Sequence, residues 1–483
     1  MKLKDLLQNV DVLETNVDLN TEITAVASDT RKEMGRGSLF VALSGFAFDG
    51  NRFIPAALEK GAVAVVTSKK PEGTVPFVLV ADDRLALARI GANYYGHPAK
   101  SMTMIGITGT NGKTSTTLIL KHILEKTRGA KVGLIGTMEN QIGSQVLATD
   151  RTTPESIELQ ALFAKMRDAG CRYVVMEVSS HAIALHRVEG IHFAVAAFTN
   201  LTEDHLDFHK TMENYGETKA RLFARCDKAV TNGDSPWGQR MVASCRGDVL
   251  TVAQEKRGDL MAKNPVFRPD GLSFTAVAGE EAVPVEVPIP GRFTVYNVLT
   301  ALGCAMQLGI SLPDAAAALK DVRGVRGRVE VVPTPGKDYT VLIDYAHTPD
   351  GLENVLSSVR EFCKGRLIAV FGCGGDRDRT KRPIMGEIGV RLADLAVITS
   401  DNPRTEEPGA IIRDIVAGVG EAKNYVVVEN RKKAIYYALD IGKKDDMIIL
   451  AGKGHETYQE IQGIKHHLDE REEVAAHLSE MRH

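Results

Sequence analysis

Several features that would decide a fold or a compartment quickly are missing from this 483-residue chain. Its six cysteines, Cys171, Cys226, Cys245, Cys304, Cys363 and Cys373, are scattered and form no CxxC pair, which argues against a zinc ribbon and against a disulfide scaffold. Reduced thiols in a cytosolic compartment are the expectation. No stretch approaches the ~18 uncharged apolar residues that span a bilayer. The N-terminal run MKLKDLLQNVDVLETNVD breaks its apolar positions with acids, so it lacks the core of a signal peptide. A cytoplasmic protein with no membrane insertion follows. An excess of one charge is also lacking: 59 basic against 62 acidic side chains leave a formal net charge of −3. Such a balance gives no field for gripping a nucleic-acid backbone, so no nucleic-acid partner is expected and any bound nucleotide is small. What remains is 44% hydrophobic and 25% charged, an ordinary globular composition of about two to four domains.

Short β-rich runs alternate with helical patterns almost throughout, which predicts an α/β fold on mostly parallel sheets. Strands are expected at 38–43, 62–67 and 77–81 and helices near 53–60 and 83–95. Gly96 and Pro98 then discourage helix continuation and mark a junction. A second unit opens with strand 102–108, a Gly-rich turn and a helix over 113–126, with further strands at 132–135, 173–178 and 192–198. The stretch 248–290 reads as a small antiparallel patch, and a helix over 293–308 leads to a boundary at 322–330. Beyond it, five alternating strand–helix steps from 339 to 450 describe a Rossmann-like doubly wound sheet. The expected domains are therefore 1–98, 99–330 and 331–483.

Chemistry gathers where strands end. The segment Gly109-Thr110-Asn111-Gly112-Lys113-Thr114-Ser115 follows a strand and opens a helix, where backbone N–H groups and the positive helix end cradle phosphate. Lys113 would reach the terminal phosphates and the Thr114 hydroxyl would ligate Mg²⁺, although Ile107 stands where the strict GxxxxGK[ST] pattern has its first glycine. Glu177, at the end of YVVMEVSSH, is placed as a Walker-type acid would be. The loop from Thr199 to His209 packs His205 and His209 among three acids, a second candidate metal or nucleotide shell, though a solvated loop has the same composition. Four later strand ends carry Asp344-Tyr345-Ala346-His347, Gly372-Cys-Gly-Gly-Asp376-Arg377, Asp401-Asn402-Pro403-Arg404 and Gly452-Lys453-Gly454-His455-Glu456. Arg377 and Arg404 offer fork-shaped donors for carboxylates and Glu456 an acceptor for ammonium, which together match an amino acid.

Taken in order, GTNGKT, EVSSH, NLTEDHLD, NYGETKARLF, YN, GRVE, DYAHTPD, DNPR and GKGHE resemble the Mur ligases over essentially the whole chain. That family's phosphate loop also departs from the standard first-glycine spacing. The resemblance implies an N-terminal domain for the UDP end of a peptidoglycan precursor, a central P-loop-type ATPase sheet and a C-terminal domain that delivers an amino acid. By matching position it assigns Ser28, Thr30, Thr152, Thr153, Ser179 and Arg187 to the UDP-precursor. It assigns Asn297, Arg328 and Asp344 to ATP beside Gly109–Ser115, and Arg377, Asp401, Asn402, Pro403, Arg404, Gly452 and Glu456 to meso-diaminopimelate. Lys113, Glu177, His205 and Lys219 would be catalytic, with Thr114, Glu177, His205 and a carbamylated Lys219 around Mg²⁺. Leu185 stands where some relatives carry glutamine, two residues before the arginine.

The implied reaction is ATP-dependent amide formation between a UDP-N-acetylmuramoyl dipeptide and diaminopimelate, through an acyl phosphate, on a chain expected to be monomeric. The lysine-adding branch of the family and a folylpolyglutamate synthase-like ligase are the alternatives. A GTPase switch is disfavoured because no Asn in the sequence is followed by Lys.

Overall fold

A computed structural model of the chain describes residues 1–32, 34–45, 49–149 and 151–480. It is an α/β protein with three main sheets. The first holds β1 (Val12–Thr15), β2 (Ala25–Ala27), β3 (Ser38–Ala42), β4 (Ala62–Thr67) and β5 (Phe77–Val80) in the order β1-β5-β4-β3-β2. All five residues of β3 are buried, as a strand covered on both faces requires.

The second sheet contains β6 (Thr103–Thr108), β7 (Val132–Ile135), β8 (Asn140–Ile142), β9 (Gln145–Leu147), β10 (Tyr173–Glu177), β11 (Phe193–Phe198), β12 (Cys226–Asn232) and β13 (Val249–Ala253). Three further strands, β14 (Leu260–Arg268), β15 (Gly271–Ala278) and β16 (Glu281–Val287), continue its ladder beyond β13. Here β6 lies between β10 and β11 and is parallel to both, with Ile105 opposite Val175 and Val195. The chain thus leaves β10 on one side of β6 and returns as β11 on the other, a topological switch point that puts a crevice at the carboxyl end of β6.

In the third sheet, β17 (Glu330–Val332), β18 (Thr340–Asp344), β19 (Leu367–Phe371), β20 (Leu395–Ile398), β21 (Tyr425–Val427) and β22 (Met447–Ala451) take the order β17-β18-β22-β19-β20-β21. Only β17 runs antiparallel. The parallel strands therefore present the loops after β18, β19, β20 and β22 at one edge. A small hairpin, β23 (Tyr458–Ile461) with β24 (Ile464–His467), follows.

By its internal contacts the chain forms two compact units, Met1–Met261 with Val277–Glu281 and Tyr296–Ala318, and Ala262–Ala276 with Ala282–Val295 and Leu319–His483. Each has its own core: Met104, Phe163, Val174, Phe193 and Phe223 sit in one cluster of the first, and Leu342, Leu356, Phe371, Met385 and Ile449 in one of the second. Among the described residues no helix is long and apolar enough to cross a membrane.

The helices that matter start where their sequences say they should. Lys113–Arg128 begins at Gly112 and ends at the left-handed Gly129, and Pro349–Arg360 is capped by the Thr348 hydroxyl, which accepts from Gly351 N. The expected antiparallel patch in 248–290 is present in part: β14, β15 and β16 are neighbours joined by two-residue links, which only antiparallel strands allow, whereas β13 pairs in parallel with both β12 and β14. The sequence reading also passed over β12, the helix Ser156–Asp168, the β23–β24 hairpin and the helix Glu470–Glu480.

Candidate functional site

In the first unit the site is built around the turn from β6 into the helix Lys113–Arg128. Gly109 (φ 146°) and Gly112 (φ 83°) hold left-handed backbone that only glycine adopts without strain. Both are also closely covered: a Cβ at Gly109 would strike Thr199 Oγ1, and one at Gly112 would strike Asn297 Oδ1. The loop after β11 braces the turn from outside. Thr110 N donates to Asn200 O (2.8 Å), Asn111 N to Asn200 Oδ1 (2.9 Å), and the Thr199 hydroxyl to Asn111 O (2.6 Å). Asn297 and the loop 199–200 are thereby brought to this glycine turn.

Two ammonium groups converge on one carbonyl of this turn. Lys113 Nζ donates to Gly109 O (3.0 Å) and Thr110 O (2.7 Å), and Lys219 Nζ donates to the same Gly109 O (2.9 Å). Lys219 is 1% exposed. Burial, then the charge of Lys113, push its amine well below the usual lysine range. The Tyr215 ring lies 4.6 Å beneath that amine and its hydroxyl is 3.2 Å from Thr110 Oγ1.

Glu177, also 1% exposed, ends the strand next to β6. Its Oε1 accepts from the Thr114 hydroxyl and from Thr137 N, and its Oε2 from the Thr137 hydroxyl, each at 2.9 Å. The precursor residues expected from sequence partly join this group. The Thr152 hydroxyl donates to Thr137 Oγ1 (2.9 Å), and the Thr153 hydroxyl donates to Glu177 O (2.9 Å) and accepts from Ser179 N (3.2 Å). Arg187 donates to Thr153 O (3.2 Å) and to Glu155 (2.5 Å). Ser28 and Thr30 lie in the loop after β2, where Thr30 O accepts from Lys60 Nζ, and no hydrogen bond among the described residues links them to that group. Thr137 was missed; its position directly after β7, at a strand's carboxyl end, was the available signal.

His205 is exposed, with left-handed backbone (φ 53°) and Nε2 3.3 Å from Asp204. Its ring meets the edge of His181 at 4.9 Å, and His181 in turn touches Phe208 and His209. Buried His209 shares a hydrogen bond with the Ser180 hydroxyl (2.8 Å). Among the described residues no three or more His, Cys, Asp or Glu side chains are grouped as a cation centre. For Mg²⁺ the fitting donors are the Thr114 hydroxyl and the Glu177 carboxylate, already in contact beside the phosphate turn. A buried Lys219 amine held well below the usual lysine range also fits the chemistry of carbamylation.

In the second unit, the loops after β18, β19, β20 and β22 form a polar cluster. Asp344 is buried and accepts from Val329 N and Ala346 N (both 2.8 Å); burial pushes its carboxyl up, against the opposing charge of Arg328. The Arg328 guanidinium lies 5.2 Å over the Tyr345 ring. Arg404 (φ 52°) donates to Gly375 O (2.7 Å), and Gly375 N donates to Asn402 O (2.9 Å). Arg377 and Arg404 both flank Gly374: a Cβ there would lie 2.9 Å from the Arg404 guanidinium and 3.9 Å from Arg377 Cγ. Gly452 (φ 117°) passes Asp401 so closely that a Cβ would lie 2.6 Å from Asp401 Oδ2.

Glu456 is less free than its sequence suggests. Its Oε2 accepts from Asn402 Nδ2 (2.9 Å) and from the fully buried Lys453 (3.0 Å), which also donates to Asn402 Oδ1 (3.0 Å). Asp401, in contrast, is buried and its Oδ2 accepts no hydrogen bond. Burial raises the Asp401 carboxyl, but Lys453 and Arg431 outweigh this and hold it below the usual carboxylate range. That oxygen faces Nη1 of the buried Arg431 at 3.8 Å, so the carboxylate is matched by charge inside the protein.

Three family models match the chain in succession: the Mur ligase family catalytic domain over residues 22–95, the Mur ligase middle domain over 107–305 and the Mur ligase glutamate ligase domain over 327–454. The chain is 48% identical over 484 residues to UDP-N-acetylmuramoyl-L-alanyl-D-glutamate–2,6-diaminopimelate ligase 1 of Clostridium acetobutylicum, covering 100% of both. It is 47% identical to the ligase of the same name from Clostridium botulinum, over 95% of this chain and 96% of that one. A solved structure of a UDP-N-acetylmuramoyl-L-alanyl-D-glutamate–2,6-diaminopimelate ligase superposes with a TM-score of 0.74 at 30% identity, over 100% of this chain and 99% of that chain.

Proposed function

The chain belongs to the Mur ligase family, and from that premise we propose that it adds meso-diaminopimelate to UDP-N-acetylmuramoyl-L-alanyl-D-glutamate, driven by ATP, in cytoplasmic peptidoglycan precursor synthesis. The observation that carries the reading is the contact of Thr114 with Glu177 beside Lys113 on a glycine turn, at the switch point of a parallel sheet. The separate sheets at 12–80, 103–287 and 330–451 support a division into UDP-precursor (1–98), ATP (99–330) and amino-acid (331–483) domains.

Phosphoryl transfer asks a protein mainly for positioning and neutralisation of charge. The N–H groups of Gly109–Ser115 hold the phosphates of ATP and Lys113 turns from the loop carbonyls to the terminal phosphate. By the family resemblance, Asn297, Arg328 and Asp344 would contact ATP as well. Thr114 and Glu177 hold Mg²⁺, with His205 and carbamylated Lys219 as further donors; when bound, the ion offsets phosphate charge. Carbamylation turns a buried cation into an anion and ends its repulsion with Lys113.

Ser28, Thr30, Thr152, Thr153, Ser179 and Arg187 orient the precursor so that its D-glutamate carboxylate attacks the γ-phosphorus, giving an acyl phosphate and ADP. In the amino-acid site, Glu456 takes an ammonium of diaminopimelate, while Arg377 and Arg404 take the distal carboxylate that lysine lacks. Asp401, Asn402, Pro403 and Gly452 shape that pocket. The free amine attacks the acyl carbon and phosphate leaves. A monomer suffices for every step, and the product feeds the cell-wall precursors on which cell shape and division depend.

The test is phosphate release by the purified protein with ATP, Mg²⁺, the UDP-dipeptide and a panel of diamino acids. Release should require precursor and diaminopimelate together. Equal release with lysine would identify the lysine-adding branch instead, and release without the UDP-dipeptide would overturn the reading.

A further inference from the structure

One fully buried charge in the second unit touches none of the residues assigned to substrate by sequence. Arg382 lies in the helix Lys381–Leu392, inside the charge run DRDRTKRP, and its side chain is 0% exposed. Its guanidinium forks onto Glu406, with Nη2 on Oε1 at 2.7 Å and Nη1 on Oε2 at 3.0 Å. Nη1 also donates to Asp414 (2.9 Å), in the helix Pro408–Val416, and Nη2 to Gly374 O (3.4 Å). Its Nε has no partner.

These contacts converge on the two arginine-bearing loops. Gly374 precedes Arg377 by three residues, and Glu406 follows Arg404 by two. Glu406 Oε1 also accepts from Asp376 N (2.7 Å), while Asp376 binds Thr405 at its hydroxyl (2.7 Å) and its N–H (3.2 Å). One buried guanidinium therefore ties the backbone before Arg377 to the carboxylate of Glu406, two residues after Arg404. The Arg382 hydrogen bond holds the Glu406 carboxyl down at about 2, so this tie stays charged across the physiological range.

We infer that Arg382 is a positioning residue for the diamino-acid site, fixing the spacing between the Arg377 and Arg404 loops and with it the preference for a substrate with a distal carboxylate. The inference rests on the proposed function and deepens it. A buried ion pair is weak evidence for stability, since an apolar residue of similar volume often serves as well. Here both carboxylates reach solvent, with side chains 21% and 35% exposed, so losing Arg382 leaves them hydrated rather than stranded. Stability and substrate selection are thus separable at this position.

The experiment compares wild type, Arg382→Met and Glu406→Ala with ATP, UDP-dipeptide and either diaminopimelate or lysine. Wild-type turnover of diaminopimelate is the control: its absence sinks the functional reading and not this inference. Given that turnover, Arg382→Met should raise KM for diaminopimelate about tenfold, because a shift of about 1 Å in a clamp is costly, and should narrow the preference over lysine. KM for ATP and for the UDP-dipeptide should stay within about twofold, as expected for loss of binding to one substrate alone. Glu406→Ala cuts the same tie from the exposed side and should give the same pattern, which decides the matter if Arg382→Met does not fold. A folded variant that keeps wild-type KM for diaminopimelate and wild-type preference over lysine would overturn the inference. So would equal rises in all three KM values, the mark of a merely structural role.

Discussion

Single side chains in this protein are set by burial acting on charge. Lys219 and Lys113 share one carbonyl acceptor, and the more buried of the two has its amine depressed. His209 shows the same effect in a form that titration can read. Burial first, then the nearby charges of His181 and Lys219, push its imidazole down to about 4 from the usual 6.5. Between those values the unfolded chain binds the proton and the folded chain does not, so the unfolded state carries more protons and folding stability falls as pH is lowered. The melting temperature should therefore drop as pH goes from 6.5 toward 4, and His209→Gln, which can still bond Ser180, should flatten that slope. An unchanged slope in the variant would remove His209 as its source.

Among the elements, the turn between β6 and its helix is the least replaceable. Gly112 and Gly129 bracket the helix Lys113–Arg128, both with positive φ, but their surroundings differ. A Cβ at Gly112 meets the Asn297 side chain, whereas one at Gly129 meets nothing within 4 Å. Both alanine variants incur about 1 kcal/mol or more for left-handed backbone. Gly112→Ala should in addition displace the phosphate turn and cut ATP-dependent turnover by about 100-fold, since small misplacements at a reacting centre are costly. Gly129→Ala should melt lower and turn over normally. Steady-state phosphate release and thermal melts on the two variants check both halves, and normal turnover by Gly112→Ala would refute the cradle.

For the whole molecule, the governing pattern is that parallel sheets deliver polar loops at their carboxyl edges. The third sheet places Asp344, Gly374, Asp401 and Gly452 at one edge, and under the proposed function that assembly selects the amino acid. A site built to bond a substrate group rejects an analogue lacking it, because its own polar groups are then left unpaired. Diaminopimelate should be preferred to lysine by about 100-fold or more in kcat/KM, and Arg404→Ala should erode most of that ratio while lowering lysine use little. Competition assays with the two diamino acids give the ratio directly; a ratio unaltered by Arg404→Ala would remove this arginine from the clamp.

The strand–turn–helix rhythm, the phosphate turn and the polar strand ends were all legible in the order of residues. They depend on local geometry: buried parallel strands need continuous apolar runs, and tight turns need glycine. The antiparallel reading of 248–290 suits β14 to β16, whose short links are local, but not β13, whose direction is set by a neighbour, β12, that lies earlier in the chain. Lys453 and Arg382 were invisible for a related reason. A charged residue in a polar run looks solvated until distant partners, such as Asn402 for one and Asp414 for the other, close around it. Thr137 beside Glu177, and the pairing of Asp401 with Arg431 and of Glu456 with Lys453, are likewise facts of three-dimensional neighbourhood. The sequence alone determined which chemistry was present and at which strand ends; tertiary structure decided which groups meet, because burial and pairing of charge are properties of contacts between segments far apart in the chain.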